Sequence, residues 1–379
     1  MNFQLTETQE MIQNLARDFA EKELAPLASV MDKSGSIPHV IIEKLAEIGF
    51  MGINVPEEYG GSGLDMVCKA LVISELAKKC ASTAEVLSVH TMAIDAIIRL
   101  GTEEQKQKYL SAAAQGKIAA FALTEPGAGS DASAAKTRAV ADGDEYVING
   151  TKCFISNMGP DEGDFVVLIA LTDPSKGTRG MSAIIVDRGT PGFTIGKTED
   201  KMGIRAAAVS ELVFEDCRVP QANRIGEEGQ GFKIAMQALD GGRVGMASQA
   251  LGIADAAIEA TVNYMKERVQ FGQPLAKLQG LQWYLADMTT RTEAARALIY
   301  EAADTLDRHL PATKIAAMCK YFAAENAVYV ANKALQIHGG YGYMTDYPIE
   351  RMYRDARIVP IYEGTSEIQK NIIAREVLK

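Results

Sequence analysis

Residues 142–150 read Asp142-Gly143-Asp144-Glu145-Tyr146-Val147-Ile148-Asn149-Gly150. A turn-forming triplet precedes a short run of β-branched and aromatic side chains, and Asn149-Gly150 closes it as a hairpin dipeptide. Further short runs follow at Phe165–Leu171, Met181–Val186, Phe193–Ile195 and Glu211–Phe214, each bounded by turn residues. This texture starts near Ile118 and lasts to about Gly231, which predicts an all-β module of about 110 residues.

On either side the period changes. Thr6-Glu7-Thr8-Gln9 has the spacing of a capping box, and Met11, Ile12, Leu15 and Phe19 follow at helical steps until Pro26. Thr102-Glu103-Glu104-Gln105 repeats that signature before a helix to about Gly116, while Pro56–Gly63 reads as a loop. After about Phe232, Leu251, Ala254, Ile258, Val262 and Met265 recur at helical steps. Further helical segments cover roughly 275–308, 312–338 and 363–378. Helices, then strands, then helices predict an α+β chain with its elements segregated.

The chain has 379 residues, enough for about two to three domains. Its net charge of −10 argues against nucleic acid and against an anionic membrane surface, both of which need a positive face. Cys68, Cys80, Cys153, Cys217 and Cys319 are scattered and odd in number, with no CxxC pair, so reduced thiols in the cytoplasm are expected. Met1–Leu5 shows no secretory leader, and the apolar stretches read as far shorter than the ~18 residues of a membrane span.

Several familiar signatures fail. Gly192–Thr198 has three residues between its glycines where a phosphate loop needs about four. Gly127-Ala128-Gly129 lacks the third glycine of a dinucleotide fingerprint, because position 132 is Ala132. His39, His90, His309 and His338 are too dispersed for a metal cage, so no metal site is expected.

Two segments carry chemistry. Phe121–Asp131 ends a strand in Thr124, Glu125 and Pro126, then two glycines and Ser130-Asp131. Locally it reads either as a plain glycine turn with an Asx bond or as a turn whose free N–H groups and hydroxyls approach a polar ring or phosphate. The second is Tyr353–Gln369, where Pro360 is a stop, Gly364 permits a tight turn, and Thr365 or Ser366 can cap the closing helix. Glu363, between an aromatic and a glycine, reads either as an acid favouring a helix N-terminus or as a base whose pKa rises in an apolar cleft.

With Phe154-Ile155-Ser156, Asp240–Arg243, Glu267–Gly272 and Gln336–Gly340, these segments stand in the order and spacing of one family. The chain resembles the acyl-CoA dehydrogenases from end to end, most closely their short-chain, butyryl-CoA members. The resemblance implies an N-terminal helical domain (1–118), a middle β-sandwich or barrel domain (119–231) and a C-terminal four-helix bundle (232–379). It implies FAD, with Thr124 and Ser156 as ring donors and Phe154 flanking the ring. Arg268, Phe271, Gln279, Gln336, Gly339 and Gly340 match positions that hold the pyrophosphate and adenine, some supplied by a neighbouring subunit of a homotetramer built as a dimer of dimers. Thr365 and Glu367 match further FAD contacts. Ser130 matches a contact to the acyl-CoA arm or the FAD pyrophosphate, and Arg243, beside Asp240, one near the CoA.

The implied chemistry is removal of the α-proton of an acyl-CoA thioester by Glu363, with hydride leaving the β-carbon for flavin N5. The thioester carbonyl would take hydrogen bonds from the backbone N–H of the catalytic residue and from a ribityl hydroxyl, so Gly364 and its neighbours belong to the substrate loop. Some relatives place the base at the position matching Gly242, where glycine cannot serve; Asp240 is the alternative acid. Thr91 is expected near the acyl end of the pocket, with Asp95 one turn further on. The expected substrate is a short straight, branched or alicyclic acyl-CoA, and the expected electron acceptor is electron-transferring flavoprotein. Alternatives are an enoyl-CoA reductase running in reverse, a silent acyl-CoA-binding scaffold and an oxygen-using oxidase.

Overall fold

The computed structural model describes residues 4–379; Met1, Asn2 and Phe3, where the leader reading begins, lie outside the described residues. The N-terminal third is helical: α1 (Glu7–Phe19), α2 (Ala28–Ser34), α3 (His39–Glu47), α4 (Met66–Ala77), α5 (Ala81–Leu100), α6 (Glu103–Gln105) and α7 (Ser111–Ala114). Both capping boxes form: Thr6 Oγ1 accepts from Gln9 N at 3.2 Å, and Thr102 Oγ1 from Gln105 N at 3.3 Å. Each spares a helix end about 1 kcal/mol of orphaned N–H. A π-helical turn, Lys106–Leu110, joins α6 to α7, so the helix read from Thr102 is nearly continuous.

Helix α5 corrects one expectation. By length and composition it could cross a membrane, yet 89% of its most apolar window is buried inside the protein. Its alanines, valines and isoleucines serve the core, and Glu85, Ser88, His90 and Thr91 are buried with them. His90 is a strut: Nδ1 accepts from Ala119 N at 3.1 Å, leaving Nε2–H to donate to Met51 O at 2.9 Å. Burial pushes its pKa down to about 4, so it stays neutral.

Eight strands follow: β1 (Ala119–Ala122), β2 (Arg138–Asp142), β3 (Glu145–Ser156), β4 (Phe165–Leu171), β5 (Met181–Asp187), β6 (Phe193–Thr198), β7 (Val209–Pro220) and β8 (Arg224–Ile225). Their order is β6-β7-β3-β2-β4-β5-β8, with β1 parallel to β4. A single pair, Arg138↔Leu171, links the β2 and β4 halves, so the sheet folds as two layers and does not close into a barrel. Alternation explains the layering. Phe165, Val167 and Ile169 of β4 face the helices, while Val166, Leu168 and Ala170 face the layer of β3 and β7.

The hairpin turn is Gly143-Asp144, between paired Asp142 and Glu145. Asn149-Gly150 does not turn the chain; it lies inside β3 at a register shift against β7. There Asn149 exchanges hydrogen bonds with Asp216 (3.1 and 2.9 Å), and a Cβ on Gly150 would lie 2.5 Å from Thr137 Oγ1. A bulge and a close crossing needed the glycine.

The last third holds α8 (Gly231–Glu267), the short pair β9 (Val269–Gln270) and β10 (Gln273–Pro274), α9 (Gln279–Asp307), α10 (Thr313–His338), α11 (Ile349–Ala356) and α12 (Ser366–Val377). Helix α11 was not anticipated. The apolar stripe read on α8 proves too narrow, since every residue from Gly241 to Ala254 is buried. This helix runs through the middle of the molecule, against α4 and α5 on one side and α9 and α10 on the other. Alanines at 247, 250, 295, 302, 316, 323 and 327 let the bundle helices approach closely. Arg354 clamps the parts together, reaching Asp32 at 2.7 Å, Glu350 at 2.7 Å and Met202 O at 3.0 Å.

Candidate active site

The segment between α11 and α12 is held against its own strain. Glu363 has φ of 49° and Gly364 of 91°. The left-handed conformation costs a non-glycine residue about 1–2 kcal/mol, so neighbours must impose it. Gln369 Nε2 donates to the carbonyls of Glu363 (3.1 Å) and Gly364 (2.9 Å), and buried Lys320 donates to Gly364 O at 2.7 Å. Thr365 caps α12 by accepting from Ile368 N at 3.3 Å, and the Tyr362 hydroxyl donates to Gln249 Oε1 of α8. Among the described residues, no acceptor takes the Glu363 N–H. It is free to donate.

The Glu363 side chain enters the protein. The residue keeps some exposed surface, but both carboxylate oxygens are shut from solvent and have no hydrogen-bond partner. Burial pushes its pKa up to about 7, against the pull of Lys320, Lys69 and Arg243; Glu85 pushes with it. A carboxylate desolvated this way is a usable base near neutral pH. It lies against α8 where that helix has no side chain. A Cβ on Gly242 would sit 2.5 Å from Glu363 Oε2 and 2.5 Å from Met92 Sδ.

Asp240 is already committed. It accepts from Arg243 Nη1 at 2.6 Å and from Thr313 Oγ1 at 2.8 Å. Arg243 is buried and its Nε lacks a partner, leaving a donor for a ligand anion. The Thr91 hydroxyl is turned back on its own helix, donating to Leu87 O or Ser88 O, and Asp95 pairs with Arg99 at 2.7 Å. Met92, which the sequence reading passed over, is the α5 side chain beside Glu363.

The β module contributes a second set. Thr124 is half-buried, its carbonyl accepting from Cys153 N at 3.0 Å and its hydroxyl unpartnered among the described residues. Below it, Lys152 Nζ bonds Glu125 Oε1 at 2.8 Å and Leu123 O at 2.9 Å. The same Glu125 accepts from Lys136 N and Thr137 N, so one buried pair ties the start of the Thr124–Asp131 turn to the segment entering β2. Ser130 is exposed on that turn, and Asp131 takes the Ser133 hydroxyl. Phe154 has φ of 56° and is 67% exposed, an apolar ring turned outward by strained backbone. Ser156 donates to Glu85 Oε1 at 2.6 Å.

A third set lies elsewhere. Arg268, Gly339 and Gly340 line a cleft of about 460 Å³ with Tyr264, Gln270 and Tyr341. Arg268 lies over the Tyr341 ring and makes no ion pair among the described residues. Gln279 and Gln336 are exposed, and Phe271 is 91% exposed with φ of 52°. Arg243 and Arg268 are separated by most of α8, about 37 Å at about 1.5 Å per residue. One chain therefore does not bring this set to Glu363. Thr365 stays beside Glu363 at the α12 N-terminus, with Glu367 exposed in the first turn.

Lys69, Lys320 and Glu85 were missed, because a charged residue on a helix ordinarily reads as a solvated face. The only available signal was that Lys69 and Glu85 interrupt apolar runs on helices buried on nearly every side, and that Lys320 falls on the apolar face of α10. Among the described residues no cluster suits a metal ion.

Comparison with known proteins matches three family models in sequence: "Acyl-CoA dehydrogenase, N-terminal domain" over residues 6–117, the middle domain over 120–217 and the C-terminal domain over 229–378. The acryloyl-CoA reductase (NADH) of Anaerotignum propionicum is 58% identical, covering 100% of this chain and 96% of that protein. The short-chain-specific acyl-CoA dehydrogenase of Clostridium acetobutylicum is 50% identical across 100% of both. Butyryl-CoA dehydrogenase from Megasphaera elsdenii superposes with a TM-score of 0.97 at 46% identity, covering 100% of both chains. A chain from work on the electron transferring flavoprotein of Acidaminococcus fermentans gives 0.98 at 50% identity, again over 100% of both.

Proposed function

Because this chain belongs to the acyl-CoA dehydrogenase family, oxidoreductases that carry FAD, we propose that it catalyses α,β-dehydrogenation of a short-chain acyl-CoA, with Glu363 as the base. The carrying observation is the Glu363 carboxylate: buried, unbonded, raised toward neutral pKa and ringed by three cations. The ionised carboxylate takes the α-proton, and the free Glu363 N–H donates to the thioester oxygen as charge develops there, a contribution of about 3–4 kcal/mol for a well-placed donor. Lys320 and Gln369 hold that N–H in place through the neighbouring carbonyls. Arg243 offers its free Nε to the CoA end.

The residues fit FAD. An outward-turned Phe154 ring, on the strand that carries Ser156 and next to the Cys153–Thr124 backbone bond, suits an isoalloxazine. A guanidinium without an ion pair among the described residues, in one cleft with unshielded glycines, suits a pyrophosphate. Bound FAD supplies the hydride acceptor. Since the cleft of Arg268, Gly339 and Gly340 lies at the C-terminal end of α8, far from Glu363, we assign it, with Phe271, Gln279 and Gln336, to the flavin of a second copy in a homotetramer. The exposed side chains of Phe271, Trp283 and Tyr343 support burial there. Ser130, Thr365 and Glu367 complete the proposed contacts.

The preferred acyl group is short and straight, branched or alicyclic, and the electron acceptor is electron-transferring flavoprotein, in the cytoplasm. A second reading, reduction of a short enoyl-CoA, is favoured by the 58% identity to an acryloyl-CoA reductase. Butyryl-CoA should bleach the yellow holoenzyme, and Glu363→Gln should keep FAD and slow bleaching by at least ~1000-fold. Wild-type-like bleaching in that variant would refute the assignment. Faster turnover of palmitoyl-CoA than of butyryl- or cyclohexanecarboxyl-CoA would refute the chain length.

A further inference from the structure

The site contains a second buried carboxyl group that the proposed chemistry does not use. Glu85 on α5 is fully buried, its Oε1 lies 2.6 Å from the Ser156 hydroxyl, and its Oε2 has no partner. A serine hydroxyl has one proton to give. While Glu85 is ionised, that proton goes to Glu85, and Ser156 presents only lone pairs elsewhere. When Glu85 holds a proton, its O–H can donate to Ser156 instead, which frees the serine hydrogen. An ionised Glu85 also leaves Oε2 buried without a donor, a costly arrangement in a dry site.

We propose that Glu85 is a positioning residue for the cofactor: through Ser156 it decides whether that serine offers a proton or a lone pair to the isoalloxazine. The inference rests on the reading of Ser156 as a flavin contact. The charged and titratable groups facing Glu85 come from several elements. Lys201, after β6, favours its ionised form, whereas Glu162 in the β3–β4 connection opposes it. Glu363 and Tyr362 approach from the loop before α12. Lys201 is itself held by Ala207 O at 2.8 Å and forms no ion pair with Glu85. Burial dominates and raises Glu85 to about 7, so both hydroxyl directions are accessible near neutral pH.

The test uses FAD-loaded protein without substrate. Glu363→Gln removes the other carboxylate that titrates near 7, and the visible flavin spectrum of that variant should still shift with pH around a midpoint near 7. Adding Glu85→Gln should abolish the shift while FAD remains bound. Glu85→Asp, tested in the same Glu363→Gln background, should retain a shift with a displaced midpoint. A shift that survives Glu85→Gln overturns the role of Glu85. Ser156→Ala separates the two levels: if it leaves the flavin spectrum unchanged, Ser156 is not a flavin contact and both readings fall. If it changes the spectrum while Glu85→Gln does not alter the titration, only the Glu85 inference falls.

Discussion

Glu363 and Gly242 share one space. The carboxylate of the loop residue lies where a side chain on α8 would begin, with Met92 on the other flank. Two elements separated by more than a hundred residues of sequence thus complete one another, and the missing side chain on the helix is what admits the carboxylate.

Gly242→Ala should therefore damage catalysis without unfolding the protein. Alanine is the better helix former by about 1 kcal/mol, but its methyl group would displace the carboxylate or Met92. Misplacing a base by about 1 Å costs on the order of 100-fold. Stopped-flow bleaching by butyryl-CoA should slow by that order while the melting temperature stays within a few degrees. Unchanged bleaching would show that the carboxylate reaches substrate by another path.

The pH dependence follows from burial. The proposed base, Glu363, can take a proton only when ionised, and burial raises its pKa from the ordinary 4.5 to about 7. Below that midpoint kcat/KM for butyryl-CoA should fall by about tenfold per pH unit, and above it level off. Stability moves the opposite way. Between the unfolded and folded pKa the native state holds a proton that the unfolded chain has lost, so stability drops as pH rises from about 4.5 to 7. Urea unfolding of Glu363→Gln should show a weaker drop, the remainder belonging to Glu85, Asp355 and the other carboxyl groups that burial raises.

Lys152→Met should be destabilising. Lys152 and Glu125 are both buried and 2.8 Å apart, so removing the cation strands a carboxylate that also anchors Lys136 N and Thr137 N. Breaking such a pair costs about 3–5 kcal/mol. Denaturant unfolding should report a loss of that size, together with weaker FAD retention as the Thr124 turn loosens.

What could be read from the sequence was what neighbours in sequence decide. The Thr6 and Thr102 capping boxes formed because a cap is settled within four residues. Asn149-Gly150 misled because its bulge is settled by Asp216 on β7, sixty-seven positions away. Helix α11 escaped notice because it is eight residues long, so its apolar stripe of Ile349, Met352, Tyr353 and Ala356 spans only two turns among charged neighbours. The motif around Glu363 singled it out, and the structure buries its carboxylate. Its cations were not legible, since nothing local distinguishes Lys320 or Lys69 from lysines on a wet helix.

The length of α8 has a genetic consequence. On the proposed assignments, each chain sets its base against Gly242, in the first third of that helix, and lends Arg268, just past its end, to the flavin of another chain. A subunit damaged at Glu363 and another damaged at Arg268 would each be useless among its own kind. Mixed, they form pairs in which one site collects both lesions and the other is wholly intact, so two dead alleles expressed together should recover up to about half the activity of a native pair. Activity that stays absent in such a mixture would mean that each chain serves itself.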